Sequence, residues 1–250
     1  MNVKLQDFFR ENPKAAIAFS GGVDSSYLLY AAVKAGADVC AYYVNAAFQP
    51  QFELEDARRV AAYAGAQMKV LPLDLLADPV ITSNPKDRCY YCKTRIFTKI
   101  QEAAAADGYT LLLDGTNASD DAGDRPGMKA LWELSVRSPL RECGLTKSMI
   151  RELSREAGLF TWNKPAYACL ATRIPAGEKI TEEKLVRTEQ AEAWLASQGF
   201  SDFRVRLLGD AARLQVPEAQ MQMLLENRAA IAEELKKYYS EVYLDLGNVR

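Results

Sequence analysis

Seven consecutive residues near the start of the chain have the composition expected of a turn that binds phosphate. The string Ser20-Gly21-Gly22-Val23-Asp24-Ser25-Ser26 follows an apolar run at 15–19 and precedes a helical pattern over 25–34. Glycines let the backbone turn sharply towards a ligand, and the new helix adds unpaired N–H groups and the positive end of its dipole. A γ-phosphate-transferring P-loop and a G-x-G-x-x-G dinucleotide fingerprint are both excluded, because neither pattern is present here.

The five cysteines offer a second kind of chemistry, as soft metal ligands or nucleophiles. Cys89 and Cys92 form a C-x-x-C pair that can bring two thiolates to one metal centre, and Cys169 can supply a third. A redox pair or half of a zinc site remains an alternative for the pair. Cys40 falls in a predicted strand and is expected to be buried, and Cys143 is expected to be a loop thiol without a special role. With no histidine in the chain, Ser-His-Asp triads, Cys-His dyads and His-ligated zinc are excluded.

An acidic loop follows the last strand of the first half. The residues Asp114-Gly115-Thr116-Asn117-Ala118-Ser119-Asp120-Asp121 come after the apolar run 111–113, and Asp124-Arg125-Pro126-Gly127 follows them. At the carboxyl end of a parallel strand, this loop would face the same crevice as the phosphate turn. Its acids suit Mg²⁺ and Arg125 suits a phosphate or carboxylate, although a plain polar turn would have a similar composition.

Composition places the chain among ordinary globular proteins. Of 250 residues, 31 are Lys or Arg and 33 are Asp or Glu, so the net charge of −2 argues against a nucleic-acid partner with a broad basic surface. No apolar run approaches the ~18 residues of a membrane-spanning helix, and no signal-peptide pattern opens the chain. We therefore expect a cytoplasmic protein without a membrane partner.

The elements that position these motifs fall into two groups. Strands at 15–19, 39–44, 68–71 and 111–113 alternate with helices at 25–34, 53–63 and 94–106, which predicts an α/β fold with a parallel sheet covered by helices on both faces. A second pattern follows, with a helix at 181–197, strands at 203–208 and 213–216, a helical region at 217–239 and a strand at 242–244. This predicts a small C-terminal α+β domain of ferredoxin-like character, with domains at 1–176 and 177–250.

The motifs together resemble a known family. The first string resembles the signature of the PP-loop ATP pyrophosphatases, an adenine nucleotide alpha hydrolase-like fold whose members cleave ATP between its α- and β-phosphates. The later strings are more discriminating and resemble the LarE family of ATP-dependent sulfur transferases, over a stretch from about Ala15 through Pro175. Those strings are the acidic loop, Arg137-Ser138-Pro139-Leu140, Leu145-Thr146-Lys147 and Lys164-Pro165-Ala166-Tyr167-Ala168-Cys169-Leu170-Ala171-Thr172-Arg173-Ile174-Pro175.

The resemblance implies roles for particular residues. ATP and its pyrophosphate would be held by the turn at residues 20–26, called the phosphate loop below, and by the acidic loop that begins at Asp114. Asp24 would lie close to Mg²⁺. Catalytic roles fall to Cys169, Asp24 and Arg173, and the substrate would bind Arg173, Arg204 and Arg206. Glu192 either lies near that site or faces solvent. The residues implied for ATP are Ser20, Gly21, Gly22, Asp24, Ser25, Ser26, Gly115, Asn117 and Arg125.

The implied reaction adenylates a carboxylate of a small-molecule nucleotide, pyridinium-3,5-biscarboxylic acid mononucleotide, and replaces an oxygen with sulfur for a nickel-pincer cofactor. The sulfur would come from a hydrosulfide on a 4Fe-4S cluster held by Cys89, Cys92 and Cys169, or from Cys169 itself, which would become dehydroalanine. The resemblance also implies a homo-oligomer, such as a hexamer. A tRNA thiolase, an amide-forming synthetase and a non-catalytic nucleotide-binding protein are the rival interpretations.

Overall fold

The computed structural model describes residues 2–120 and 126–247, which form two compact units. The first unit comprises Met1–Asp74 and Asp87–Lys164, and the second comprises Leu75–Lys86 and Pro165–Arg250. The strands are β1 (Lys14–Ala18), β2 (Asp38–Asn45), β3 (Gln67–Pro72), β4 (Leu112–Leu113), β5 (Arg204–Leu208), β6 (Ala211–Gln215) and β7 (Val242–Leu244). The helices are α1 (Val3–Glu11), α2 (Val23–Lys34), α3 (Gln51–Ala64), α4 (Pro79–Thr82), α5 (Arg88–Ala106), α6 (Pro126–Glu133), α7 (Pro139–Glu142), α8 (Lys147–Glu156), α9 (Glu182–Ser197), α10 (Met221–Glu226) and α11 (Arg228–Leu235). Short 3-10 turns lie at Phe160–Asn163, Leu170–Arg173 and Glu218–Gln220.

The first unit is built on a parallel sheet with strand order β3-β2-β1-β4. Successive side chains of a strand point to opposite faces, so β1 contributes to two cores. Ile17 packs with Leu28 of α2 and Val60 of α3 on one face, whereas Ala16 packs with Phe97 of α5 on the other. Because the strand order reverses between β1 and β4, a crevice is expected outside the carboxyl ends of these two strands.

The second unit joins a three-stranded mixed sheet to helices. In the order β5-β6-β7, β5 pairs antiparallel with β6 and β6 pairs parallel with β7. The inserted segment Leu75–Lys86 is tied to residues that follow the Cys169 region. The buried Asn84 amide donates to the carbonyl of Pro175 at 2.8 Å, and the Ile180 N–H donates to the carbonyl of Thr82 at 2.8 Å.

The fold class predicted from the sequence is confirmed, with an α/β first unit and a small mixed sheet near the C-terminus. Two features differ in position. The helix α5 begins at Arg88, so it includes the C-x-x-C pair that the sequence pattern places before a helix starting at 94. The chain passes between units at Lys164 and Pro165, whereas the predicted domain boundary lies near 176, because the Cys169 segment packs with α9.

No helix among the described residues is both long and apolar enough to cross a membrane.

Candidate active site

The phosphate loop, residues 20–26, turns between β1 and α2. Gly21 adopts a φ of +71°, and a Cβ at this position would lie 3.0 Å from the Cα of Ala57 on α3. Both its backbone angle and the closeness of α3 therefore require glycine. The helix α2 begins at Val23 with Gly22 as its N-cap and no side-chain cap, so the first N–H groups of the helix remain available for an anion.

The serines of the phosphate loop lie in different environments. The Ser20 and Ser25 hydroxyls are 3.1 Å apart, and the Ser25 hydroxyl donates to the carbonyl of Gly22 at 3.3 Å. These bonds hold the turn closed around its amides. Ser26 is fully buried, and its hydroxyl has no hydrogen-bond partner among the described residues.

Asp24 forms an ion pair within the site. Its Oδ2 lies 2.6 Å from Nζ of Lys147, the first residue of α8, while its buried Oδ1 has no hydrogen-bond partner within the described chain. Burial raises the pKa of Asp24 above its ordinary value, and the hydrogen bond from Lys147 opposes that rise only in part. A carboxylate oxygen left unsatisfied beside an ammonium group suits a ligand that brings its own positive charge or a proton.

The acidic loop packs directly against the start of α2. A Cβ on Gly115 would lie 2.9 Å from the backbone nitrogen of Ser25, so glycine allows the two loops to meet. Both carboxylate oxygens of Asp114 are engaged, one by the Ser138 hydroxyl at 2.6 Å and the other by the Thr116 hydroxyl. These bonds fix the orientation of the loop beside the phosphate turn.

The second half of the acidic loop is held by its own side chains. The Asp120 carboxylate accepts the backbone N–H of Asn117 at 2.9 Å, and the Asn117 side chain accepts that of Ser119 at 2.8 Å. The Ser119 hydroxyl in turn accepts the N–H of Lys147 at 3.0 Å. The acidic loop and the start of α8 are therefore positioned together.

The two loops border a cavity of about 330 Å³ at the carboxyl ends of the strands. One wall is largely apolar and includes Val44, Ile96 and Phe97. In the same cavity, the Tyr43 hydroxyl and the Gln49 side-chain oxygen are buried without hydrogen-bond partners among the described residues. Apolar walls with a few unsatisfied polar groups are typical of a small-molecule site.

Charged side chains also line this cavity. The acidic ones are Asp24, Glu53, Asp114 and Asp120, and the basic one is Lys93, which follows Cys92 on α5. Burial raises the pKa of Glu53 above its ordinary value, and nearby Lys164 opposes that change. The groups of this site that can attract an anionic ligand are the ammonium groups of Lys93 and Lys147 and the N-terminus of α2.

The C-x-x-C pair lies in the first turn of α5. Cys89 is exposed and Cys92 is half-buried. Side chains three residues apart share one face of a helix, so the two thiols are neighbours. Cys40 is buried in β2 as expected, and burial raises its thiol pKa.

The half-buried Cys169 lies on a loop that three arginines hold by its carbonyls. Arg204 donates to the carbonyl of Ala166 at 2.8 Å, Arg173 to that of Ala168 at 3.0 Å and Arg206 to that of Thr172 at 2.8 Å. All three arginines proposed for substrate thus lie beside the Cys169 loop within the second unit.

The guanidinium of Arg173 is completely buried. Its Nε and Nη2 donate to the two carboxylate oxygens of Glu192 at 2.8 and 3.0 Å. Glu192 also accepts the Tyr167 hydroxyl at 2.5 Å and the N–H of Val205 at 2.9 Å, so this glutamate faces the protein interior rather than solvent. Burial and the repulsion of Arg173 lower the pKa of Arg206, which marks a concentration of positive charge.

The structure brings most of the residues implied for ATP together in the first unit. Ser20, Gly22, Asp24, Ser25 and Gly115 line the cavity, while the remaining described ones, Gly21, Ser26 and Asn117, shape the surrounding loops. Arg125 lies outside the described residues.

Sequence reasoning missed three charged residues, Lys93, Lys147 and Glu53, as parts of the site. The string Leu145-Thr146-Lys147 contained a signal for one of them, since Thr146 caps α8 through the N–H of Met149 and places Lys147 at the start of that helix. Lys93 and Glu53 lie on helices without any distinctive local pattern.

Within residues 2–120 and 126–247, no group of three or more histidine, cysteine, aspartate or glutamate residues is arranged to hold a metal ion.

Comparison with known proteins agrees with this geometry. Residues 14–88, which include the phosphate loop, match the family model of the queuosine biosynthesis protein QueC. An uncharacterised protein of Synechocystis sp. is 39% identical over 225 residues, which cover 89% of this chain and 84% of the relative. An uncharacterised protein of Methanocaldococcus jannaschii is 27% identical over 248 residues, covering 98% of this chain and 95% of the relative.

A third relative has an assigned activity. It is the pyridinium-3,5-bisthiocarboxylic acid mononucleotide synthase of Lactiplantibacillus plantarum, which is 35% identical over 240 residues, covering 95% of this chain and 87% of the relative. Because 95% of this chain is matched, the likeness extends over both units. This chain belongs to the LarE family of PP-loop enzymes.

Proposed function

We propose that this chain is an ATP-dependent sulfur transferase that converts a carboxylate of pyridinium-3,5-biscarboxylic acid mononucleotide into a thiocarboxylate for synthesis of the nickel-pincer nucleotide cofactor. The name and extent of the L. plantarum relative support the acceptor. The observation that carries the proposal is the cavity between the phosphate loop and the acidic loop, where the free amides of α2 meet the pair of Asp24 and Lys147. The proposal includes a cytoplasmic homo-oligomer, such as a hexamer.

The first step is adenylation of the acceptor. A carboxylate oxygen of the acceptor attacks the α-phosphorus of ATP, the bond to the β-phosphate breaks, and pyrophosphate leaves with the electron pair. The amides at the start of α2 and the ammonium of Lys147 hold the departing phosphates, whose charge grows as the bond breaks. The acyl-adenylate that forms has AMP as a good leaving group in place of oxide.

Mg²⁺ would neutralise phosphate charge in this step, and the residues fit it. The buried Oδ1 of Asp24 has no hydrogen-bond partner among the described residues, and the carboxylate of Asp120 lies close enough to act electrostatically on Asp24. Hard carboxylate oxygens are the ligands that Mg²⁺ prefers. Asp24 and Asp120 are therefore the proposed holders of the ion.

In this proposal the acceptor binds Arg204 and Arg206 beside the Cys169 loop, whereas Arg173, whose guanidinium is completely buried against Glu192, positions that loop. The acceptor carries a phosphate and carboxylates, and guanidinium groups bind such anions in a bidentate manner. The lowered pKa of Arg206, which results from its burial and from Arg173, supports a locally positive region that an anion would relieve. Arg173 acts there through its buried pair with Glu192, which fixes its orientation.

For the sulfur source we propose a 4Fe-4S cluster held by Cys89, Cys92 and Cys169. The proposal rests on the chemistry of these side chains, because three thiolates can bind a 4Fe-4S cluster and leave one iron without a protein ligand. When bound, the cluster would supply hydrosulfide to the acyl-adenylate. The chain's own residues position Cys89 and Cys92 on one helical turn and hold the Cys169 loop by its carbonyls.

The alternative source is Cys169 itself. Its thiolate attacks the acyl carbon, AMP leaves, and a thioester joins substrate to protein. Removal of the Cα proton of Cys169 then breaks its Cβ–S bond, so the sulfur leaves on the product and dehydroalanine remains. This route is limited to one turnover per chain.

Mass spectrometry of protein and small molecules tests the proposal after incubation with ATP, Mg²⁺ and the biscarboxylate nucleotide. We expect AMP, pyrophosphate and a thiocarboxylate. Anaerobic reconstitution should give about four iron atoms per chain. Substitution of Cys89, Cys92 or Cys169 by serine should lower that content, whereas Cys40→Ser, a buried core position, should not.

Other outcomes identify the rivals. Loss of the mass of H₂S from Cys169 after turnover would establish the sacrificial route and refute the cluster. Thiolation of bulk tRNA would indicate a tRNA thiolase, and use of ammonia in place of sulfide would indicate an amide-forming synthetase. A chain that binds ATP without releasing pyrophosphate would be only a nucleotide-binding protein.

A further inference from the structure

The last residue of the first unit, Lys164, is held in an almost buried ion-pair network. Its Nζ lies 2.8 Å from Oδ2 of Asp56 and 3.3 Å from Oε1 of Glu53, both on α3. The side chain is only 13% exposed and its ammonium lies 5.4 Å from the ring centre of Phe52. Two carboxylates and an aromatic ring around a lysine with little exposure fix the position of that side chain.

The backbone of Lys164 is fixed as well. Arg151 on α8 donates to the carbonyl of Lys164 at 2.9 Å and to that of Trp162 at 2.6 Å. Lys164 adopts an extended conformation with a φ of −61° and a ψ of 127°, which suits a residue that precedes proline. The backbone and the side chain of Lys164 are therefore both held within the first unit.

The helix that holds Lys164 also supports the ATP cavity. Glu53 lines that cavity, and Ala57 packs against Gly21 of the phosphate loop. Glu53, Asp56 and Ala57 occupy about one turn of α3, so the contacts with the cavity and with Lys164 share a rigid element.

Cys169 follows Lys164 by only five residues. A fully extended chain of this length reaches at most about 18 Å. Fixing Lys164 therefore limits the space that Cys169 can explore, whatever path residues 165–169 take. The proline at 165 narrows that space further because its φ is restricted.

We propose that Lys164 is a positioning residue: its ion pairs with α3 fix the start of the Cys169 segment and so limit the conformations that Cys169 samples during sulfur transfer. This inference rests on the proposed function for its catalytic consequence. The anchoring itself is a property of the free protein, and it is measurable without substrate.

The test compares Lys164→Met, which keeps the length of the side chain without its charge, with Lys164→Arg, which keeps the charge. The exposed Lys237→Met serves as the matched control, because Lys237 forms its ion pair with Glu234, three residues earlier in the chain. Asp56→Asn removes the shorter of the two ion pairs and provides a second variant should Lys164→Met fail to fold.

The first readout is the alkylation rate of Cys169 by iodoacetamide in the free protein, followed by peptide mass spectrometry. Loss of the anchor should increase this rate about fivefold or more, because local opening becomes easier. Asp56→Asn should act in the same direction, whereas Lys164→Arg and Lys237→Met should stay within about twofold of the unmodified chain.

The second readout is turnover. In Lys164→Met, thiocarboxylate formation should fall by about 10- to 100-fold through misplacement of the cysteine, with ATP affinity and pyrophosphate release changed less than about threefold. Lys164→Arg should restore most of the rate. A structural role alone would lower all three activities together.

The outcomes separate the two proposals. Unchanged alkylation in both Lys164→Met and Asp56→Asn would overturn the anchor even if the unmodified chain makes thiocarboxylate. Equal losses of ATP affinity and sulfur transfer would also overturn it, since Lys164 would then serve the nucleotide. Faster alkylation in a chain that makes no thiocarboxylate would support the anchor and refute the proposed function.

Discussion

Substitution of Gly21 by alanine tests how closely the phosphate loop approaches α3. Gly21 has a φ of +71°, and the added Cβ would lie 3.0 Å from the Cα of Ala57, a backbone atom that cannot swing aside. Gly36, which follows α2, is the matched control, since it has a φ of +77° and nothing within 4 Å of the Cβ position. Both variants place an alanine in a left-handed conformation, but only the one at position 21 brings a Cβ against Ala57.

The expected loss of stability follows from the left-handed backbone conformation and from the contact with Ala57. A left-handed conformation costs an alanine about 1–2 kcal/mol, which both variants should lose in the free energy of unfolding. Overpacking should add about 1–3 kcal/mol in Gly21→Ala alone. Displacement of the loop should also remove at least one amide contact with phosphate, worth about 1.5–3 kcal/mol, so ATP affinity should fall roughly 10-fold or more.

Urea unfolding and calorimetric titration with ATP measure both quantities. Gly36→Ala should bind ATP as the unmodified chain does. The reasoning is refuted if Gly21→Ala is no less stable than Gly36→Ala and binds ATP equally well, because the loop would then not depend on its contact with α3.

Further predictions concern the charged residues. Lys147→Met leaves the half-buried Asp24 without its ammonium partner and should lower ATP affinity by about 10-fold, measured by titration, while an unchanged affinity would place Lys147 outside the site. Burial raises the pKa of Glu53, so between its ordinary value of 4.5 and its raised value this carboxyl binds more proton in the folded chain than in the unfolded one, and its contribution to the free energy of unfolding falls as pH rises through that range. Glu53→Gln should therefore flatten that decline in urea titrations from pH 4.5 upwards, and an unaltered slope would contradict it. Glu192→Ala strands the buried charge of Arg173 and should lower the free energy of unfolding by about 3–5 kcal/mol, and a loss below about 1 kcal/mol would argue against a buried pair.

The sequence predicts the sheet of the first unit well because short buried strands bounded by glycines leave a clear pattern. The phosphate loop is predicted equally well, since Gly21 and Gly22 end a strand and precede a helix. The sequence does not predict that Cys89 lies in α5, because the residues just before it, Lys86 and Asp87, show no apolar periodicity that would mark the start of a helix. The local sequence pattern therefore predicts the position of the phosphate loop but not the residue at which α5 begins.

Contacts between segments that are distant in the sequence could not be predicted from local patterns. Arg173 and Glu192 read as surface residues by type, yet they form a buried pair because Tyr167 and Val205 complete the hydrogen bonds of the carboxylate. Lys164 follows no local rule either, since its partners lie over one hundred residues earlier on α3. Burial of charge depends on such remote partners.

An isotope experiment tests the adenylation chemistry most directly. The carboxylates of the biscarboxylate nucleotide are labelled with the heavy oxygen isotope, and AMP, pyrophosphate and product are analysed by mass spectrometry after reaction with ATP. The account predicts one labelled oxygen in AMP for each thiocarboxylate formed and none in pyrophosphate. Unlabelled AMP, or label in orthophosphate, would contradict it, because the carboxylate would not have attacked the α-phosphorus.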